Sequence, residues 1–347
     1  MVLVKKWFVF GLLLVFVFSS VAFSGGKVFV STWGFNLDLI DKNITKPFKA
    51  QYGIDIVREL GNNSTRFTKL EIQKKNPVID VVHFAEYYAA LAKVKGLIEP
   101  IDVSRLKNYD KIYDFAKDPI GGNYAIAYSI FSYGIVYRTD KIKEPITSWK
   151  DLWRDDLKGR IALPDITITY GPSFMILMNE LWGGSKDDPN LDVAFTKIEE
   201  LKPNIVTFYK RSSELINLFK MGEVWVAPVA RFSWGRFLAT GLPLEWVVPK
   251  EGMLGFMSTV SIVKGAKHKD EAYKYIDFIL SKEVQEKEAM DLVDSPVNKE
   301  VKVPKDVAEK LTYGEDQIKS LRFYDLDFIV KHRDQWLKKW NEKIAGK

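Results

Sequence analysis

In "MGEVWVAPVARFSW" the run Val224–Ala230 is apolar and β-branched, as a strand buried on both faces would be. Arg231 follows at its carboxyl end, the end at which open α/β sheets place their ligands. A planar guanidinium there suits a carboxylate, phosphate or carbonyl of a small molecule. It equally suits a carboxylate of the protein itself, Glu223 or Asp165. A second candidate lies in "DITITYGPS", where Thr167, Thr169, Tyr170 and the N–H groups of a helix start offer neutral donors beside a positive dipole end. That place fits an anionic or hydroxyl-bearing group, and the same residues fit an ordinary helix cap. Catalysis has no comparable foothold. There is no G-x-S-x-G turn, no H-E-x-x-H and no phosphate loop. Of the three histidines, His83 closes a buried apolar run, and His268 and His332 lie among lysines and acids, which reads as structural or solvated. No pair of acids has a spacing that selects glycoside hydrolysis, so an exported hydrolase is only a remote alternative.

The elements that must hold these residues alternate. "KVFVSTW", "IDIVREL" and "VIDVVHFA" read as strands. Between and after them, "NLDLIDKNITKPFKAQYG", "STRFTKLEIQKK" and "YYAALAKVKG" read as helices, the first stopped by Gly53 and the second begun by a Ser/Thr cap. This β-α-β-α order predicts a mainly parallel sheet with helices on both faces. A second set follows. Tyr124–Thr139 reads as an unusually long strand carrying Gly134, "SWKDLW" as a short helix begun at Ser148, and "GRIALPD" and "NIVTFY" as further strands. "GFMSTVSIVKGA" then leads into one amphipathic helix, "KDEAYKYIDFILSKEVQEKEAM", and Tyr324–Ile344 into another. Two sheets joined by two long strand-like crossings predict two lobes and a hinge.

The first 24 residues carry Lys5 and Lys6, an apolar run Trp7–Phe18, and small residues at Ala22 and Ser24, the pattern of a cleavable secretory leader. The apolar run is short of the roughly 20 residues a membrane span needs. The chain has no cysteine, which excludes both a lipoprotein anchor and disulfides. The formal charge of +6 includes Lys5 and Lys6, and what remains is spread along the chain without a basic stripe interleaved with aromatics. Nucleic acid is therefore not an expected partner. Aromatic residues make up 14% of the chain, enough for an aromatic-lined pocket as well as a core.

"ITSWKDLW" with "LKGRIAL" downstream, then "MGEVWVA", "VVPKEG" and "SPVN", stand in an order that resembles the extracellular solute-binding proteins of ABC importers. The resemblance is to the branch containing the spermidine/putrescine-binding proteins, and it runs from Lys27 to the C-terminus. It implies an α/β periplasmic binding protein of type II-like, two-lobed form, each lobe a mainly parallel sheet flanked by helices, with two hinge crossings. It also implies a small-molecule solute, a membrane permease as partner, a periplasmic location, a monomer and no cofactor. The expected division is a leader over 1–24, lobe 1 over 25–131, lobe 2 over 132–257, and a return to lobe 1 over 258–347.

Polyamine binders hold their ligand between aromatic walls, with carboxylates at the ammonium groups. Carried over by segment, the first aromatic is Trp33, and Asn36 stands in place of a tyrosine. A serine and a tyrosine after the third strand fall on Ala85 and Tyr87, so only the tyrosine survives. Ile166 and Thr169 occupy the positions of a carboxylate pair, Phe256 and Ser258 those of a tryptophan and an aspartate, and Ala230, beside Arg231, that of a tryptophan. Asp294 replaces a tyrosine. Three carboxylates are lost, which Glu86 and Asp294 would partly restore. The expected ligand set is therefore Trp33, Asn36, Glu86, Tyr87, Thr167, Thr169, Arg231, Phe256, Ser258 and Asp294. The solute is a polyamine on the family pattern, or a zwitterionic or anionic molecule held by Arg231. The adjacent Tyr87 and Tyr88 raise a ferric-ion alternative, but the paired tyrosines of ferric-ion relatives lie after the first crossover. Tyr88 is expected to pack under its helix, and no metal residues are assigned.

Overall fold

The computed structural model describes residues 25–346. The expected leader lies outside them, and no described helix is long and apolar enough to cross a membrane. Among the described residues eleven strands form: β1 (Lys27–Thr32), β2 (Asp55–Leu60), β3 (Val81–Ala85), β4 (Ile98–Glu99), β5 (Ile126–Arg138), β6 (Ile161–Pro164), β7 (Ile205–Tyr209), β8 (Val226–Ala230), β9 (Leu244–Val247), β10 (Leu254–Val263) and β11 (Ser295–Pro296). Their order is β2-β1-β3-β10-β5-β8-β6-β7, with β4 on β10 and β9 and β11 on β5. β1, β2 and β3 pair in parallel in one lobe, and β6, β7 and β8 do so in the other. The two crossings run antiparallel to each other and to their neighbours.

The two expected sheets are joined in one hydrogen-bonded path, because β5 serves both. Its first part pairs with β10 and β11, and its last residues with β8 and β9. Gly134 sits where its partners change from β10 to β8 and β9. A Cβ there would lie 2.7 Å from the Val247 carbonyl and 3.0 Å from the Trp246 ring, so β9 approaches β5 through the missing side chain.

Several helices depart from the pattern read in the sequence. The segment Leu37–Tyr52 is helical throughout but widens to a π-turn over Asp41–Thr45, and Gly53 closes it at φ 67°. The next helix, Asn63–Gln73, is capped by Asn62, whose side chain accepts from the Thr65 N–H at 2.9 Å, rather than by Ser64 or Thr65. Trp149–Trp153 keeps the Ser148 capping box but coils as a 3-10 helix. The single amphipathic helix expected over 269–290 is two, Lys269–Ile279 and Lys282–Met290. Ser281 takes an extended conformation between them and caps the second.

Residues of both lobes share one apolar core. Helix Leu326–Trp340 packs against it with Ile329, Trp336 and Trp340 buried. The Trp336 indole donates to the Pro189 carbonyl at 2.7 Å on lobe 2, while the Arg333 guanidinium lies 5.9 Å from the Tyr88 ring of lobe 1.

Candidate functional site

A cleft of about 450 Å³ opens between the lobes, a size suited to a small solute. Lobe 1 contributes the end of β1 with Thr32 and Trp33, the turn to Asn36, Arg58 and Asn62, His83, Tyr128 and Ser258, and then Tyr275, Glu288 and Asp294. Lobe 2 contributes Thr167–Tyr170, Lys210–Ser213 and Phe232. These positions follow from the topology: the parallel strands of each lobe end toward the cleft, and the loops after β1, β6 and β7 line it.

Bonds already cross the gap. Asn63 donates to the Thr169 hydroxyl at 2.7 Å, and the Tyr88 hydroxyl donates to the Thr167 carbonyl at 3.0 Å. At the mouth, Arg236 of lobe 2 donates to the Asn36 side-chain oxygen at 2.6 Å and pairs with Asp38, while the rings of Phe35 and Phe232 meet edge-on at 6.0 Å. The lobes are thus in contact around the cleft.

Trp33 is held from behind. The buried Arg66 guanidinium lies 4.6 Å over its ring and donates to the carbonyls of Ser31, Gly61 and His83 and to the Asn63 side chain. One face of Trp33 is therefore taken by a protein cation. His83 is neutral, because burial and then Arg66 push its pKa down to about 3, and its Nε2 meets the Tyr275 hydroxyl at 2.9 Å. Burial pushes Asp294 up to about 7, against a bond from the Ser129 hydroxyl at 2.8 Å. Burial, and then the neighbouring Asp294, push Glu288 up to about 8. On lobe 2, Asp165 accepts from the Thr167 N–H and hydroxyl and lies 3.7 Å from Lys210.

Of the residues singled out in the sequence, the structure brings together Trp33, Asn36, Thr167, Thr169, Ser258 and Asp294 on the cleft lining. It places four elsewhere. Glu86 begins helix Glu86–Val94 and accepts from the Met257 N–H at 2.7 Å, tying that helix to β10, with burial raising its pKa to about 8. Tyr87 is buried against Tyr88, ring centroids 4.3 Å apart, and its hydroxyl has no hydrogen-bond partner among the described residues. Phe256 stacks on Phe131 at 5.6 Å and meets Tyr133 and Tyr170 edge-on, inside the core. Arg231 is buried over the Trp246 ring at 4.4 Å and donates to the Glu309 carbonyl. Neither Glu223 nor Asp165 pairs with it among the described residues.

Sequence reasoning missed Glu288, Arg58, Tyr128, Tyr275, Phe232 and the run Lys210–Ser213. The last was legible as two cations and two serines between a strand end and a helix start. Glu288 was not, since "KEVQEKEAM" reads as surface. Among the described residues no group of three His, Cys, Asp or Glu side chains is placed to hold a metal ion.

Residues 43–313 match the family model described as bacterial extracellular solute-binding protein. The spermidine/putrescine-binding periplasmic protein of Salmonella typhimurium is 29% identical over 268 residues, 75% of this chain and 74% of that protein. An ABC transporter structure from Clostridium perfringens is 37% identical, with a TM-score of 0.74, and covers 91% of this chain and 99% of that one. The periplasmic binding protein AfuA from Actinobacillus pleuropneumoniae, with fructose-6-phosphate bound, is 26% identical with a TM-score of 0.77, over 93% and 99%.

Proposed function

Since this chain belongs to the bacterial extracellular solute-binding proteins, and so binds rather than catalyses, we propose that it captures a small polar amine-bearing solute in the interlobe cleft and delivers it to the permease of an ABC importer. The observation that carries the reading is the cleft itself: about 450 Å³, walled by both lobes, with β5 and β10 running between them. Such a site binds by closing, and the two crossings are where the rotation takes place. On this reading the hinge lies near residues 131–134 and 254–257, with the lobes divided at 131/132 and 257/258. The amine follows the naming of the Salmonella relative; the leader pattern in residues 1–24 and the family support a periplasmic location, and the reading takes the chain as a monomer. Arg231, turned toward Glu309, is left outside the proposed contacts, as are Glu86, Tyr87 and Phe256.

A thermal-shift screen of the mature chain against a library of amines, amino acids, sugars and phosphate esters tests this. A true ligand at 100 times its Kd adds about 2.7 kcal/mol of stability. Failure of every compound to stabilise the protein, or turnover of the compound that does, overturns it.

A further inference from the structure

Glu288 is 5% exposed, and its Oε1 is buried without a hydrogen-bond partner among the described residues. It lines both the main cleft and a small void of about 20 Å³ behind it, and Asp294 lines the same two spaces. A second carboxyl beside an unpartnered one leaves two acids facing a cavity with nothing to neutralise them. The cations around them already have acid partners. Lys42 pairs with Asp291 at 2.7 Å, and Arg58 pairs with Asp41 through one nitrogen while its Nη1 has no partner among the described residues; the neutral Asn43 amide, beside Glu288, donates to Asp291 at 2.8 Å. His83 is neutral and bonded to Tyr275, and Tyr128 lies 4.8 Å from the His83 ring.

The opposite wall has the other sign. Lys210 and Arg211 stand at the start of helix Ser212–Met221, whose first turn has no side-chain cap. Lys210 has Asp165 at 3.7 Å, and Glu214 accepts from the Lys210 N–H, but Arg211 forms no ion pair among the described residues.

We propose that the solute is bipolar, a small zwitterion whose cationic nitrogen sits between Glu288 and Asp294 on lobe 1 and whose anionic end faces Arg211 and Lys210 on lobe 2. This rests on the cleft being the solute site. It differs from a polyamine, which would set a second ammonium against Arg211. An unpaired acid in a closed cavity is costly, and an arriving ammonium removes that cost by ionising the pair. Because the acids are held partly protonated when empty, binding a cation between them releases protons near pH 7 and strengthens as pH rises from 6 toward 8.5.

Four-carbon probes that differ only at their ends test this by calorimetry: 4-aminobutyrate, putrescine, butylamine and butyrate. The expected result is that 4-aminobutyrate binds most tightly, with proton release measurable by comparing phosphate and Tris buffers. Glu288→Gln, a near-isosteric change, should then lower its affinity at least tenfold, about 1.4 kcal/mol, and leave butyrate unaffected. Arg211→Ala should weaken 4-aminobutyrate and butyrate but not butylamine. Tighter binding of putrescine or butyrate, or unchanged 4-aminobutyrate affinity in Glu288→Gln, overturns the bipolar solute while leaving solute capture in place. Silence from all four probes also overturns it, and the wider library then decides capture separately.

Discussion

Arg231 keeps a cation in a place with little to offer it. Burial lowers its pKa to about 10, which still leaves it charged at neutral pH, and two of its nitrogens, Nε and Nη1, have no partner among the described residues. Replacing it with Met would remove that desolvation cost and retain packing on Trp246, but would leave the Glu309 carbonyl without its donor, a loss of about 1–3 kcal/mol. These effects oppose each other, so Arg231→Met should shift stability by less than about 2 kcal/mol and leave solute affinity within twofold, measured by denaturant unfolding and calorimetry. A tenfold fall in affinity would bring Arg231 back into the site. The sequence located this arginine correctly at a strand end, but which way its side chain turns depends on residues near 309 that no local pattern connects to it. Glu288 has the reverse history. Nothing in its helix distinguishes it from its solvated neighbours, and only the packing of Tyr128 and Ile279 around it makes it a cleft residue.

At the scale of elements the periodicities carried most of the fold. The alternation of strands and helices, the 13-residue crossing β5 and the buried run of β8 were all legible, because each is a local pattern of apolar residues. What failed was continuity. A helical spacing that continues through Leu280 and Ser281 gives no sign of a break, which appears only where the Ser281 hydroxyl accepts from the Val284 N–H at 3.4 Å. Gly134 was visible as an oddity inside a strand, and the close approach of β9 accounts for it. Gly134→Ala should push Trp246 and the Val247 carbonyl outward and cost about 1–3 kcal/mol, as overpacking does. Urea unfolding would read this as a lower midpoint at unchanged slope. A loss under 0.5 kcal/mol would mean that β9 yields freely.

For the whole molecule, closure is the property that matters, and the contacts at the mouth bear on it. Arg236 bonds to Asn36 and Asp38 across the gap, but the pair is substantially exposed and screened by solvent, so its contribution is small. Arg236→Ala should therefore speed solute release by at most about fivefold, with the difference shrinking as salt is raised. Stopped-flow chase experiments at two ionic strengths would measure it. A salt-independent change, or none, would show that the Phe35–Phe232 contact and the inner bonds from Asn63 and Tyr88 hold the lobes together without it. The two-lobe plan was legible because both crossings are long. Their fusion into one sheet was not, since pairing between β5 and its four neighbours is a long-range choice.

The position of β10 between β3 and β5 also has a consequence for how the chain is made. Ala85 pairs with Ser258 and Phe84 with Thr259, so the first lobe exposes an open strand edge until nearly three-quarters of the chain has been synthesised. The strands β6, β7 and β8 of lobe 2 lie within that interval and can pair first, although their cover by Trp336 and Trp340 comes only with the last helix. Such long-range pairing slows folding and leaves adhesive edges exposed meanwhile. The first lobe therefore stays an unsealed, extensible sheet until about the last quarter of the chain remains to be made.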